Sequence, residues 1–242
     1  MIYEYKARVR FSEVDAQRNL STMGMLCLMQ DTSVFHGEDN GATIEGMMAE
    51  NITWVLGGWQ VRFFDTVKLG DAISSKTWGY KCRHCVAHRN FEISADDGRL
   101  LAAADSQYVL MNIAEQKAAP ISKELCEKYA MEPGCELKNV NIGRKIPAGN
   151  GGVKYEKVPV AEHMLDTNNH VNNLQYIRMA FSYLENKKDF KFNCFRAEFK
   201  KQARLGDVFY PEVISIENGY QVKLSNESDE LYFIAEWFLT EE

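Results

Sequence analysis

The sequence predicts an α+β protein made of two similar units, each consisting of one long helix packed on an antiparallel sheet. Three observations support this prediction. A polar run followed by a helix-like stretch occurs twice, a Leu-Gly-Asp turn occurs twice, and strand-like runs follow one another at hairpin spacing. Because these features recur in the same order, we expect two tandem copies of one fold.

The two helices occupy equivalent places in the repeat. In the first unit, residues 14–19 precede a helix-like stretch near 23–36, and in the second, residues 165–170 precede a stretch over 174–184. Asn172, with Gln175 three residues later, is a typical N-cap pattern. The second helix carries its apolar residues at helical spacing, which predicts one buried stripe. These residues are Leu174, Ile177, Phe181 and Leu184.

Several consecutive strands should follow each helix. The turn Lys68-Leu69-Gly70-Asp71 is echoed by Arg204-Leu205-Gly206-Asp207, and residues 231–239 are apolar enough for a strand covered on both faces. A short helix is expected over 122–130. One helix wrapped by an antiparallel sheet, twice over, is the tandem hot-dog fold. We expect an N-terminal unit over 1–130, a linker over 131–152 and a C-terminal unit over 153–242. Strands are predicted at 52–64, 72–82, 86–96, 101–112, 191–201, 207–216, 219–225 and 230–240.

Composition excludes several classes of protein. Of the 242 residues, 45% are hydrophobic, which is enough for a substantial core and argues against disorder. No stretch has the roughly 20 apolar residues of a membrane span. The net charge of −6 argues against nucleic acid as a partner. The start of the chain lacks the features of a secretory signal and the six cysteines form no disulfide framework, so a cytoplasmic location is expected.

The run from Asp166 to Asn173 is the strongest candidate for an active site. It places a carboxylate, carboxamides and an imidazole within a few residues, just before the second helix. A helix N-terminus supplies backbone N–H groups and a positive dipole end that can stabilise an oxyanion. The equivalent positions of the first unit, Asp15 and Asn19, lack the histidine, so we expect that site to be non-catalytic.

These residues resemble a known family. The pattern Asp166-x-Asn168-x-His170-Val171-Asn172-Asn173, followed by Tyr176-Ile177, is similar to that of the acyl-acyl carrier protein thioesterases of plants and bacteria. Trp54-Val55-Leu56, the Leu69-Gly70-Asp71 turn and Tyr108 to Asn112 support the resemblance, which covers residues 3–240. It implies hydrolysis of a fatty acyl thioester, with acyl carrier protein as partner and no cofactor.

The resemblance also implies roles for particular residues. The family's catalytic Asp, Asn and His fall on Asp166, Asn168 and His170. The family's Glu, which Cys follows in the plant enzymes, falls on Gln202, with Ala203 next. This is a departure, because a carboxamide cannot accept a proton at neutral pH and alanine offers no thiol. We expect His170 and Asp166 to position and deprotonate a water, while Asn168 donates to the carbonyl oxygen.

Substrate and carrier contacts are predicted elsewhere. Because methionine adapts to flexible ligands and the family's first unit houses the acyl chain, Met25, Met29 and Trp54 are candidate pocket residues. Ordinary core residues are the alternative. A basic cluster stands out against the acidic average and is a candidate surface for an acidic carrier protein, with a solvated strand face as the alternative. The cluster is Lys187, Lys188, Lys191, Arg196, Lys200, Lys201 and Arg204.

Other interpretations stay open. Cys82, His84, Cys85 and His88 resemble a metal cluster, but alternation along a strand separates them, so no metal is expected. The chain could instead be an acyl-coenzyme A thioesterase, another hot-dog enzyme, or an acyl-binding relative with weakened activity, which the change at Gln202 and Ala203 favours. A monomer and a homodimer both fit a tandem chain.

Overall fold

The computed structural model describes residues 1–184 and 191–240, and the chain divides into two compact units. The first contains Met1–Gly57 and Val61–Asn141, and the second contains Gly58–Gln60 and Ile142–Glu242. The fold is the predicted α+β double hot-dog.

The first unit contains one long helix and the longest strands. Its helix begins where the sequence predicts, because the Ser21 hydroxyl accepts a hydrogen bond from Gly24 N at 3.0 Å and so caps the first turn. In chain order its elements are β1 (Tyr3–Arg8), α1 (Thr22–Asp39), α2 (Ile44–Ala49), β2 (Ile52–Phe63), β3 (Ala72–Arg83), β4 (Val86–Ala95), β5 (Leu100–Asn112), β6 (Lys117–Ala118) and α3 (Lys123–Lys128).

The sheet of the first unit has the order β1-β3-β4-β5-β2, with β6 beside β5. The pairs β1/β3, β3/β4 and β4/β5 are antiparallel. Helix α1 packs on β3, β1 and β4. Helix α2 was not predicted; Thr43 caps it, and its Met47 joins a buried cluster with Leu110, Leu125 and Tyr129.

The second unit repeats this plan with shorter elements. Its sheet has the order β9-β12-β11-β10-β7, all antiparallel, and β8 pairs with β10. Residues 232–237 are buried, as expected of a strand covered on both faces. The elements are β7 (Val153–Lys154), β8 (Val158–Pro159), α4 (Asn173–Ser182), β9 (Cys194–Phe199), β10 (Val208–Ile216), β11 (Gly219–Ser225) and β12 (Leu231–Phe238).

Helix α4 packs on its sheet through aromatic rings as well as through the predicted apolar stripe. Leu174 and Ile177 are buried on the helix as predicted, and Phe181 is half-buried. Leu184 is also buried, but the helix ends at Ser182 and not at Leu184 as predicted. The Tyr176 ring lies 5.7 Å from Phe233 and 5.4 Å from Phe209, measured between ring centroids. Such contacts add about 0.5–1.5 kcal/mol each beyond area burial. The packing fixes the helix start relative to β9, β10 and β12.

Residues 131–152, which the sequence predicts as a linker, are hydrogen-bonded along their length. Glu132 N donates to Gly79 O at 2.7 Å and Leu137 N to Asn90 Oδ1 at 3.0 Å, both within the first unit. Gly149 N donates to Gln221 Oε1 at 2.8 Å within the second. The division between the units falls between Asn141 and Ile142.

Candidate active site

The polar run before α4 forms a tight turn that the Asp166 carboxylate organises. Asp166 Oδ1 accepts hydrogen bonds from the backbone N–H groups of Asn168 at 2.8 Å and His170 at 3.2 Å. Asp166 N donates to His170 O at 2.8 Å, and Asn169 has a left-handed backbone with φ of 57°. Asparagine tolerates this conformation better than most residues. The turn therefore holds Asn168 and His170 close to the start of α4.

The first unit builds the same turn without a histidine. Asp15 Oδ1 accepts from Gln17 N and Asn19 N, each at 2.9 Å, and Arg18 has φ of 64°. Because the carboxylate makes the same backbone bonds in both units, its turn-forming role is a property of the repeated fold. What distinguishes the second turn is the imidazole of His170 in the place of Asn19.

The start of α4 offers fewer backbone donors than the sequence suggests. Asn172 is the N-cap, as predicted: its Oδ1 accepts from Leu174 N at 2.9 Å, and its carbonyl accepts from Gln175 N at 2.9 Å. Two first-turn N–H groups are therefore committed to the cap. Few backbone N–H groups at this helix start are therefore free to bind an anion.

A second segment, residues 201–207, lies directly beside the turn. Val171 N donates to Ala203 O at 2.9 Å, and Ala203 N donates to the Tyr176 hydroxyl at 2.7 Å. Arg204 N donates to Asp207 Oδ2 at 2.8 Å, and the turn closes at Gly206 with φ of 96°, which favours glycine. This segment carries the exposed Gln202 and places Arg204 in contact with His170.

His170 has two differently engaged ring nitrogens. Its Nε2 accepts a hydrogen bond from Arg204 Nε at 3.1 Å. Its Nδ1 is buried and has no hydrogen-bond partner among residues 1–184 and 191–240. Burial lowers the pKa of His170, the Arg204 cation lowers it further, and the Asp166 carboxylate partly opposes both. Burial and Arg204 therefore favour the neutral form of the ring.

The remaining predicted site residues present free polar groups. Asn168 is half-buried, and its carboxamide makes no hydrogen bond with the described part of the chain. Gln202 is exposed, whereas Ala203 is fully buried. Arg204, which the sequence predicts as part of a docking surface, instead contacts His170, and the sequence analysis did not predict this contact. The parallel between the two Leu-Gly-Asp turns was the available signal, because Lys68 contacts Asn19 in the equivalent place.

The predicted pocket residues lie in the core of the first unit. Met25 and Met29 are buried on α1. Trp54 is half-buried on β2, with edge contacts to Tyr108 at 6.5 Å and Tyr129 at 6.2 Å. A role in acyl binding stays a prediction for these three residues.

The predicted basic cluster does not form one free surface. Lys187 and Lys188 lie outside the described residues. Lys191 is exposed, Lys200 pairs with Glu198, and Lys201 pairs with Glu230 at 2.6 Å.

Arg196 requires a correction. Its side chain is only 19% exposed; it pairs with Glu236 at 2.6 Å and donates to the carbonyls of Ile142 and Gly143. Because its hydrogen-bonding groups are committed inside the second unit, Arg196 is a structural residue and not part of a docking surface.

The metal-like sequence occupies the β3–β4 hairpin. Cys82 lies opposite Ala87 in the sheet, and its sulfur is 2.9 Å from that of Cys126. His88 is buried, with its ring 5.8 Å from that of Tyr80. Among the residues that the structure describes, no three His, Cys, Asp or Glu side chains converge as metal ligands would.

The chain is therefore a tandem hot-dog protein with one candidate catalytic loop. This loop is the polar turn that carries a histidine at the start of the second unit's helix. The family model described as the acyl-ACP thioesterase N-terminal domain matches residues 1–129, which is more than half of the chain. The chain therefore belongs to the acyl-ACP thioesterase family.

Individual relatives are distant. The chain is 23% identical over 190 residues to oleoyl-acyl carrier protein thioesterase 1, chloroplastic, of Arabidopsis thaliana. This match covers 72% of this chain and 52% of the relative. It is 26% identical over 198 residues to palmitoyl-acyl carrier protein thioesterase, chloroplastic, of Gossypium hirsutum, covering 73% and 46%. The chain thus spans about half the length of the curated relatives that it matches.

Solved structures share the fold over nearly the whole chain. An acyl-ACP thioesterase from Bacteroides thetaiotaomicron aligns with a TM-score of 0.84 at 20% identity, covering 98% of this chain and 97% of that one. The 12:0-ACP thioesterase from Umbellularia californica aligns with a TM-score of 0.87 at 19% identity, covering 98% and 96%. None of the helices within residues 1–184 and 191–240 has the length and apolarity that crossing a bilayer demands.

Proposed function

We propose that this protein hydrolyses the thioester between a fatty acyl chain and acyl carrier protein, releasing free fatty acid and carrier protein. The observation that carries the proposal is the turn at Asp166–His170 in a chain of the acyl-ACP thioesterase family. The first unit has the same turn without the imidazole, so the second unit is the proposed catalytic one.

The chemistry proposed for the site is addition of water to a carbonyl. The water oxygen bonds to the thioester carbon while the turn of Asp166 and His170 positions the water and the Asp166 carboxylate takes up its proton. The carbonyl electrons move to oxygen, where the free Asn168 carboxamide donates a hydrogen bond. Collapse of this intermediate breaks the C–S bond, and the thiolate of the carrier receives a proton. Gln202 is proposed to orient the water, since it cannot serve as a base.

The partner and location follow from the same proposal. An acyl-loaded carrier protein is the proposed partner, with the exposed side chain of Lys191 and the partly paired Lys200 and Lys201 as its candidate contacts. The cytoplasm is the proposed location, whereas the plant relatives are named as chloroplastic. Monomer and homodimer both remain compatible with the proposed activity.

The test measures fatty acid release from carrier-linked thioesters of defined chain length, with matched acyl-coenzyme A thioesters in parallel. We expect faster hydrolysis on the carrier, and His170→Ala should lower kcat by about 10²–10³-fold. Asn19→Ala, the matched change in the first unit, should leave kcat unchanged. Faster turnover of coenzyme A thioesters would instead identify an acyl-coenzyme A thioesterase.

One observation favours a second candidate, an acyl-binding relative with weakened activity. The family's carboxylate position is occupied by the exposed Gln202, and the next residue is the buried Ala203. In that case the protein would bind acyl chains without releasing fatty acid. Tight binding of a fatty acid, combined with no hydrolysis of any thioester, would support this candidate over the enzyme.

A further inference from the structure

We propose that Arg204 is a positioning residue for His170: its Nε–H holds the imidazole as the Nδ1–H tautomer and makes that N–H, instead of a basic lone pair, the group presented to the substrate. The meaning of this arrangement for catalysis rests on the proposed function, but the tautomer is a property of the protein alone.

The direction of the hydrogen bond determines the tautomer. An arginine Nε can only donate, so His170 Nε2, 3.1 Å away, must accept. A neutral imidazole carries a single ring proton, which then lies on Nδ1. The lone pair of Nε2 is therefore engaged, and the ring cannot take a proton from water through that atom while Arg204 stays in place.

The other ring nitrogen is ready to donate. Nδ1 is buried, and no acceptor within the described ranges reaches it. A buried N–H without an acceptor is costly, so its retention here needs an explanation, and an acceptor supplied by a bound ligand would provide one. In the proposed reaction that acceptor is the thioester carbonyl oxygen, which becomes an oxyanion when water adds.

Charge at the site favours the same arrangement. The charged groups that act on the ring are the Arg204 cation and the Asp166 carboxylate, and burial together with Arg204 lowers the pKa of His170. A proton added to Nε2 would replace the bond from Arg204 with repulsion between two cations. Burial therefore favours the neutral ring first, and the side chain that selects the tautomer adds to this effect.

In this arrangement Asp166 accepts the proton and His170 donates a hydrogen bond. Asp166 Oδ1 is committed to two backbone N–H groups, and Oδ2 makes no hydrogen bond within the described chain. Water gives its proton to Oδ2 as its oxygen bonds to the carbonyl carbon, and the oxyanion faces Nδ1–H. When the C–S bond breaks, the proton passes from Asp166 to the leaving sulfur. His170 then donates a hydrogen bond throughout and transfers no proton.

The first unit supplies an internal control. Lys68 occupies the place of Arg204 in the Leu-Gly-Asp turn, and its Nζ donates to Asn19 Oδ1 at 2.6 Å. A basic residue at this position therefore contacts the same turn position in both units. Only in the second unit does the contacted side chain have two tautomers to select between. Lys68→Gln is accordingly the matched control for Arg204→Gln.

The first measurement is nitrogen-15 NMR of the imidazoles in the full chain, with His170→Gln to assign the resonance. We expect the Nδ1–H tautomer and titration below pH 6.5 in the wild type and in Lys68→Gln. In Arg204→Gln the titration should move to higher pH, because the cation that lowers the pKa of His170 is gone, and the Nε2–H form should appear. Arg204→Lys keeps a charged donor, so its His170 titration should lie between that of the wild type and that of Arg204→Gln.

The second measurement is hydrolysis of an acyl-coenzyme A thioester, which has no carrier protein to dock. Arg204→Gln should lower kcat by roughly 10- to 100-fold with little change in KM, because the donor is no longer held in place. A docking role predicts the opposite pattern: a raised, salt-dependent KM on carrier-linked substrate, with kcat and the His170 spectrum unchanged.

Two results would overturn the proposal. One is a wild-type His170 protonated on Nε2, and the other is the docking pattern just described. If no thioester is hydrolysed while the spectra behave as expected, the proposed function fails and the role of Arg204 in holding the tautomer stands. The two failures are therefore distinguishable.

Discussion

The hydroxyl of Tyr176 accepts a hydrogen bond from the backbone N–H of Ala203 at 2.7 Å and so ties helix α4 to the segment that carries Gln202 and Arg204. The same hydroxyl lies 3.4 Å from Lys201 O, to which it can donate. Tyr176 is itself held by the rings of Phe209 and Phe233. Alignment of Arg204 with His170 therefore depends on a core residue that need not touch substrate.

Tyr176→Phe tests this dependence. The change leaves the buried Ala203 N–H without its acceptor, so we expect a loss of about 1–3 kcal/mol in the free energy of unfolding. Since Arg204 is then less well held, kcat should fall as well. Urea unfolding and initial rates measure the two effects. Tyr210 lies on β10 of the sheet that α4 packs against, and its hydroxyl makes no hydrogen bond within the described chain. Tyr210→Phe should therefore change neither the free energy of unfolding nor the rate.

The matched aspartates of the two units separate turn formation from catalysis. Asn retains an acceptor oxygen for the backbone N–H groups, so Asp166→Asn and Asp15→Asn should each cost less than about 1 kcal/mol of stability. Only Asp166→Asn removes the proposed proton acceptor, and its kcat should fall by about 10²–10⁴-fold. Equal rates for the two variants would show that the second turn has no catalytic carboxylate.

Restoring the family's carboxylate should raise activity. Gln202 is exposed two residues before Arg204, which contacts His170, and glutamate there could accept a proton that the carboxamide cannot. We expect Gln202→Glu to increase kcat by about 10-fold or more. Leu205→Glu places the same charge at a nearby exposed position and should have no such effect. An unchanged rate in Gln202→Glu would show that a carboxylate at position 202 does not assist the reaction.

The buried His36 predicts how stability depends on pH. Its Nδ1 accepts from Arg89 Nη1 at 2.9 Å, and burial, then Arg89 and the N-terminal amine, lower the pKa of His36 to about 3, against the opposing charge of Asp39. Below pH 6.5 the unfolded chain therefore binds a proton that the folded chain does not, and stability falls as pH drops.

The measurement is urea unfolding between pH 7.5 and 4.5. One proton contributes a slope of about 1.4 kcal/mol per pH unit. His36→Gln should remove that contribution, so the variant should lose stability less steeply on acidification than the wild type. His163→Gln, at an exposed position, should follow the wild-type curve. Parallel curves for the wild type and His36→Gln would contradict the assignment.

Local features of the sequence predicted most of the secondary structure. The N-cap at Asn172, the apolar stripe of α4 and the buried strand over 231–238 depend on spacing and residue type within a short segment. Helix α2 was missed because six residues are too few to show helical periodicity. The Asp166 turn was predicted as a polar turn before the helix, but the hydrogen bonds that its carboxylate accepts from two backbone N–H groups were not predicted.

By itself the sequence determined the repeated plan, the family, and the placement of Asp166, Asn168 and His170 on one turn. Only the tertiary structure decided which distant side chains meet: Arg204 with His170 across 34 residues, and Arg196 with Glu236 across 40. The reason is physical. Periodicity and turn chemistry act between neighbours in the chain, whereas these pairs follow from strand register and from where a packed helix begins.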